Sequence, residues 1–233
     1  MTAVFLQVRL GSSRLPEKAL AELSGRTVVE HAMRALRDVP VNRHVVLTDE
    51  NSAETLAPYA HRCGFGLFVG DPTDVLSRYA AAAEWYEPET IVRATGDNPL
   101  VSAHVARAAL GLHDATGADY TALTGGPLGT GVEVVRAAAL TEAARAAEDP
   151  YEREHVTPFL YRRPDRFSLC VELVPESWRA GDARVTLDTA EDYARIARLF
   201  SELYAGAPID IGTLVHHLRR DGRERSGAHR HSA

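Results

Sequence analysis

Three cations, Arg9, Arg14 and Lys18, surround the small-residue run Gly11-Ser12-Ser13, directly after the apolar stretch Val4-Phe5-Leu6. Glycine lets backbone come close to a ligand, and the two serines add hydroxyls without bulk. Free backbone N–H groups in such a turn, with cations beside them, make an anion trap that suits a polyphosphate. The spacing is neither G-x-x-x-x-G-K-[ST] nor G-x-G-x-x-G. The same residues also fit a plain strand-to-helix loop carrying solvated basic side chains.

A carboxylate falls at the same rim. Asp97 lies in Thr95-Gly96-Asp97-Asn98-Pro99, at the end of an apolar run and inside a tight turn. An acid facing a polyphosphate needs a counter-ion, and magnesium is the natural one, since it takes one or two carboxylates together with phosphate oxygens. The second carboxylate is best sought in Arg184-Val185-Thr186-Leu187-Asp188-Thr189, where Asp188 again ends an apolar run before a helical pattern. Asp188 or Thr189 fits a helix cap equally well, with Asp192 complementing the helix dipole.

The elements that must carry these residues alternate. Strands are predicted over residues 3–9, 41–48, 66–69 and 90–95, and helices over 27–36, 53–63, 71–85 and 102–113. Four strand–loop–helix units in succession imply a parallel sheet with helices on both faces, with ligands beyond the carboxyl ends of the strands. After Asp119 the rhythm changes. Strands are predicted over 120–123, 131–135, 167–174 and 184–187, and helices over 137–147, 151–161, 190–204 and 211–220. Residues 221–233, DGRERSGAHRHSA, hold no apolar residue beyond alanine and read as a disordered tail, so the expected organisation is one domain over 1–220.

Composition narrows the function. The chain has 233 residues, 45% of them hydrophobic, enough for one substantial core. Its net charge of −6 argues against general nucleic-acid binding, so a cationic loop in an acidic protein is a local device for a small anion. Two cysteines, Cys63 and Cys170, make neither a disulfide framework nor a structural zinc site, which suits a cytoplasmic protein. The start lacks the basic residues of a signal peptide, and no apolar run approaches the roughly 20 residues of a membrane span.

Five ordered blocks then carry a family resemblance. Residues 7–18, Gln7-Val8-Arg9-Leu10-Gly11-Ser12-Ser13-Arg14-Leu15-Pro16-Glu17-Lys18, resemble the Q-A-R-x-G-S-x-R-L-P-G-K signature of sugar-acid cytidylyltransferases, in particular the SpsF-type spore coat polysaccharide biosynthesis proteins. Gly70-Asp71-Pro72-Thr73-Asp74-Val75-Leu76-Ser77-Arg78-Tyr79 is similar to G-x-x-x-D-V-L-x-R-Y, and Arg93-Ala94-Thr95-Gly96-Asp97-Asn98-Pro99-Leu100 to R-x-T-G-D-x-P-L. Arg153-Glu154-His155-Val156-Thr157-Pro158 and Thr186-Leu187-Asp188-Thr189-Ala190-Glu191-Asp192-Tyr193 resemble R-E-H-V-T-P and T-V-D-T-x-E-D-Y.

The resemblance implies a Rossmann-like fold of GT-A type, with a mixed, mostly parallel sheet flanked by helices. It implies a homodimer that transfers CMP from CTP to a sugar acid or other anionic small molecule, phosphonates included, and releases pyrophosphate. Asp97 and Asp188 match the two Mg²⁺-binding aspartates. Lys18 and Arg14 match the triphosphate cations and, with Asp97, are the expected catalytic residues. Gln7, Arg9, Gly11, Ser12, Asp74, Arg78 and Thr95 are expected on the nucleotide, with Asp74 and Arg78 four apart on one helix face as an ion pair. Glu133, His155 and Thr157 are expected on the acceptor, His155 and Thr157 one helical turn apart at most. Glu133 also fits an outward residue alternating with Val132 and Val134, and His155 a hydrogen-bonded helix residue. Two departures stand out: Glu17 replaces the usual glycine, and Val101-Ser102 the usual Ile-Asp. A glycosyltransferase on the same fold is the first rival, although no D-x-D is present. A nucleotide sensor without turnover is the second.

Overall fold

The first strand, β1 (Thr2–Gln7), has no wet face: Ala3, Val4, Phe5 and Leu6 are all fully buried. Such a strand needs a neighbour on each side and helices above and below. A computed structural model, describing residues 1–11 and 15–230 (222–230 in backbone only), places it at the centre of a sheet. β2 (Glu22–Leu23) and β3 (Arg26–Thr27) form a small separate hairpin. α1 (Val28–Leu36), β4 (Arg43–Thr48), α2 (Glu50–Arg62), β5 (Gly66–Val69), α3 (Val75–Tyr86), β6 (Thr90–Thr95) and α4 (Ala103–Thr116) follow as the expected alternation. The second half adds β7 (Tyr120–Thr124), β8 (Glu133–Arg136), α5 (Ala137–Ala146), α6 (Pro150–His155), α7 (Pro158–Tyr161), β9 (Leu169–Leu173), α8 (Ala190–Leu203) and α9 (Ile211–Arg230).

The sheet order is β5-β4-β1-β6-β8-β7-β9. β1 pairs in parallel with β4 (Gln7↔Leu47) and with β6 (Gln7↔Thr95). Only β8 runs antiparallel, between β6 and β7, so the sheet is mixed and mostly parallel, as expected. Val4, Leu6 and Val8 pack against α1, α2 and α4 on one face, and Ala3 and Phe5 against α3, α5 and α7 on the other. A third apolar cluster joins α8 and α9 to Val28, Val185 and Leu187.

Helix starts follow local chemistry. Thr27 and Glu30 form a reciprocal capping box on α1, and Asp49 and Asp74 cap α2 and α3 by accepting from Ser52 and Ser77 N–H. Ser102, standing where Asp is usual, caps α4 by accepting from Val105 N–H; serine does this as well as aspartate, so the replacement costs the helix nothing.

Three expected elements are corrected. The helix over 151–161 is two helices, because Pro158 has no N–H to donate into the preceding turn and its ring would crowd the carbonyl four residues back. The chain turns instead at Val156, φ 75° and ψ −62°, with Thr157 N–H donating to His155 O at 2.9 Å: a γ-turn, strained for a β-branched residue. The strand over 184–187 reduces to one bridge, Leu128↔Arg184. Pro127 has no N–H to extend it, and the backbone turns away at Gly129, φ 105°. The last helix, expected to end at Arg220, continues to Arg230 through the first part of the stretch expected as a tail. Residues 231–233 lie outside the described residues.

Candidate active site

The rim beyond β1 and β6 is built by close backbone approach. Gly96 N–H donates to Gln7 O at 2.7 Å, and a Cβ on Gly96 would come within 2.8 Å of Val8 Cβ, so no larger residue fits. This brings Asp97 over the loop that follows β1. In that loop Glu17 stands at φ 52°, ψ 23°, the left-handed conformation in which the family's glycine is at ease, and it starts the 3-10 turn Lys18–Leu20.

Lys18 is the meeting point. Its Nζ lies 2.6 Å from Asp97 Oδ2 and 3.2 Å from Asp188 Oδ1, and it donates to Leu187 O at 2.8 Å. Its side chain is 12% exposed, so the contacts are shielded on most sides. Asp188 is delivered from far along the chain by Val185 and Leu187, both buried in the third cluster. Its role at the helix start is settled by geometry: Thr189 Oγ1 accepts from Asp192 N–H, while Asp192 Oδ2 accepts from Thr189 N–H and Asp188 N–H. The cap belongs to Thr189, and the Asp188 carboxylate turns to Lys18 and to the Arg184 guanidinium.

Two carboxylates that meet on one ammonium can also meet on a metal ion. Among the described residues no group of three or more His, Cys, Asp or Glu is placed to hold one. Two carboxylates, with the remaining positions left to phosphate oxygens and water, match what Mg²⁺ takes. The donor set therefore fits magnesium, and Asp97 and Asp188 are the residues that would hold it. Arg14 and Ser12, the other expected members of the phosphate loop, lie outside the described residues.

The remaining expected residues divide. Gln7 and Thr95 end neighbouring strands at this rim, and Thr95 Oγ1 accepts from Asn98 Nδ2 at 2.7 Å. Arg9 is exposed and reaches Glu154 at 3.6 Å, and Gly11 is exposed with open space where a Cβ would stand. Asp74 and Arg78 do not pair. Asp74 caps α3 and holds Arg153 Nε at 2.6 Å, whereas Arg78 is buried and donates through Nε to Asp71 O at 2.9 Å. A cap residue has its side chain turned back on the first turn, away from position i+4. Burial lowers the pKa of Arg78, with Asp49 opposing.

A cleft of about 430 Å³ opens beside β6, lined by Thr95, Asn98, Thr124, Glu133 and Thr186 and the loop 125–131. Glu133 lies in its wall with its carboxylate engaged from behind: Oε1 accepts from Tyr120 Oη at 2.7 Å and Thr157 Oγ1 at 2.8 Å, and Oε2 from Arg93 Nη1 at 2.5 Å. Burial would lower the pKa of Arg93, but the Glu133 charge overrides it and raises it; burial, then Glu133, pushes the Tyr120 hydroxyl up. Thr157 is buried on this network, while His155 is exposed and stacks on Tyr151 at 4.2 Å. The γ-turn at Val156 separates the two, so they do not share a helix face. Tyr120 was not singled out from the sequence, and Arg93, Arg153 and Arg184 stood in the quoted blocks without a site role. Arg93 had a signal, a charge inside the apolar run Ile91-Val92-Arg93-Ala94.

Residues 3–211 match the family model for cytidylyltransferases. The spore coat polysaccharide biosynthesis protein SpsF of Bacillus subtilis (strain 168) is 31% identical over 224 residues, covering 93% of each chain. Among solved structures, a cytidylyltransferase from Leptospira borgpetersenii serovar Hardjo-bovis superposes with a TM-score of 0.85 at 25% identity, over 95% of both chains. CMP:2-keto-3-deoxy-manno-octonic acid synthetase complexed with CTP shares the fold, with a TM-score of 0.68 at 16% identity over 86% of this chain and 98% of that one.

Proposed function

The chain belongs to the cytidylyltransferase family, and from that premise we propose that it transfers CMP from CTP to a sugar acid or other anionic small molecule and releases pyrophosphate. The observation that carries this reading is the convergence of Asp97 and Asp188 on Lys18. An acceptor oxygen attacks the α-phosphorus; its bond to phosphorus forms as the bond to the pyrophosphate oxygen breaks. Charge grows on the equatorial and leaving oxygens, so the protein's work is to position and neutralise. Lys18 exchanges its carboxylate partners for phosphate oxygens and stabilises the departing pyrophosphate. Asp97 and Asp188 would hold a magnesium ion, whose chemistry when bound is to polarise the phosphoryl oxygens. A carboxylate or phosphonate acceptor arrives ionised and needs no base, whereas a sugar hydroxyl must lose a proton.

A pyrophosphate-release screen of four nucleoside triphosphates against a panel of anionic acceptors tests the reading. Release is expected with CTP and at least one acceptor, and its loss in Asp97→Ala and Lys18→Ala. Turnover unchanged in both variants would overturn the site. Tight nucleotide binding with no release from any pair would favour a sensor.

A further inference from the structure

Asp188 meets a different cation at each oxygen. Oδ1 faces Lys18 Nζ at 3.2 Å, on the side where Lys18 also meets Asp97, and Oδ2 accepts from Arg184 Nη2 at 2.5 Å. A carboxylate turns readily about its last torsion, so partners in two directions fix which oxygen points where. The two cations differ in what becomes of them. Lys18 leaves Asp188 when phosphate oxygens take its place, whereas Arg184 has no part in the transfer and stays.

Arg184 is itself fixed from two sides. Its Nε donates to Thr186 Oγ1 at 2.5 Å, so Nε and Nη2, which share one edge of the planar guanidinium, each have an acceptor. Its backbone is tied by the bridge to Leu128: Leu128 N–H donates to Ala183 O at 2.9 Å, and Val185 N–H to Leu128 O at 2.8 Å. The loop at Gly129 lies close against the same segment, since a Cβ there would come within 3.0 Å of Thr186 N.

We propose that Arg184, anchored on Thr186, is a positioning residue of the metal site: it holds Oδ2 of Asp188 so that Oδ1 stays turned towards Asp97 once Lys18 has moved to the phosphates. This rests on the reading of Asp97 and Asp188 as the magnesium-binding pair. Arg184 acts on a cation in two opposed ways. Its charge repels the ion, and by that effect alone its removal would tighten metal binding. The side chain is 48% exposed, so water and salt screen the repulsion. Loss of orientation is not screened, and partners that orient a ligating group are worth about ten- to a hundredfold in metal affinity. Orientation wins, and the sign of the change separates the two effects.

The test measures Mn²⁺ binding to the whole protein, without nucleotide or acceptor, from the electron paramagnetic resonance signal of the free ion. Mn²⁺ serves as the spin probe because it takes the same oxygen ligands as Mg²⁺. Arg184→Gln is expected to bind it about tenfold more weakly than the native protein. Thr186→Val keeps the guanidinium but removes its anchor, and is expected to weaken binding about threefold. Arg198→Gln removes the same charge from a guanidinium paired with Asp221 and Glu202, and is expected to leave binding unchanged. Arg184→Gln binding Mn²⁺ as tightly as the native protein, or more tightly, would overturn the inference. So would Thr186→Val binding like the native protein, or Arg198→Gln losing as much as Arg184→Gln. Loss of Mn²⁺ binding in Asp188→Ala would leave the metal reading standing in each of these cases. Native protein that binds no Mn²⁺, or Asp188→Ala that binds it equally well, would remove that reading and this one together.

Discussion

Lys18 Nζ lies 2.6 Å from Asp97 Oδ2 and 3.2 Å from Asp188 Oδ1, so one ammonium occupies the point to which both carboxylates turn. The lysine thereby keeps Asp97 and Asp188 from facing each other unneutralised, and it competes with any divalent cation for them. Lys18→Met should slow turnover at least a hundredfold. It should also increase the response to magnesium alone: added Mg²⁺ should raise the melting temperature of Lys18→Met more than that of the native protein. Thermal unfolding across a magnesium titration, without nucleotide, reads this directly, and equal shifts would show that Lys18 does not compete with the cation for the two carboxylates.

Glu17 sits in the left-handed region at φ 52°. A non-glycine residue there costs about 1–2 kcal/mol, of which glycine's extra freedom in the unfolded chain takes back about 0.4–1. Glu17→Gly should therefore stabilise the protein by about 0.5–1 kcal/mol, a rise of about 1–4 °C for a chain this size, seen by calorimetry. A lower melting temperature would mean that the glutamate makes a compensating contact.

Lys18, Asp97 and Asp188 could be picked out in the sequence because each falls in or beside a turn after an apolar run, and the structure brings the three side chains together. Thr186-Leu187-Asp188-Thr189 could be read as cap or ligand, and only three dimensions separated them: Thr189 takes the cap and Asp188 is left for Lys18. Pairings across distant elements were not legible. Nothing local says that Arg153 rather than Arg78 holds Asp74, or that Glu133 is held by Arg93, Tyr120 and Thr157. The expected helix over 151–161 ran through Pro158, and the direction in which the chain breaks there, which exposes His155 and buries Thr157, depends on the core that Val156 enters.

Glu133 has three internal donors, which makes it a strut of the cleft wall. Glu133→Gln keeps its volume but leaves the Arg93 charge without its counter-ion in a largely buried setting. Breaking such a pair costs about 3–5 kcal/mol, so the melting temperature should drop by about 6 °C or more. Tyr120→Phe, which removes one neutral donor, should cost about 1 kcal/mol. If Glu133 served the acceptor alone, Glu133→Gln would melt like the native protein and change only the acceptor's KM.

Three buried histidines make stability depend on pH in a window above that of the carboxylates. His31 lies between the rings of Phe200 and Tyr204 and donates from Nε2 to Leu23 O at 2.8 Å; His44 donates from Nε2 to Leu36 O at 3.1 Å; His113 contacts Thr121 Oγ1 at 3.0 Å. Burial lowers the pKa of each below 6.5. A lowered histidine pKa means that, between the folded and unfolded values, the unfolded chain holds protons the folded one does not. Stability therefore rises with pH through that window: it is complete above about 6.5 and declines as the pH falls below it. Asp71, Asp192 and Glu30, whose pKa values are lowered from 3.8, 3.8 and 4.5, lose their contributions only in more acid solution. Urea unfolding at pH 7.5 and pH 5.5 isolates the histidines. The midpoint should be lower at pH 5.5, and His31→Gln should lower it at both values while narrowing the gap. Equal midpoints in the native protein would show that these imidazoles keep their ordinary affinity for protons despite their burial.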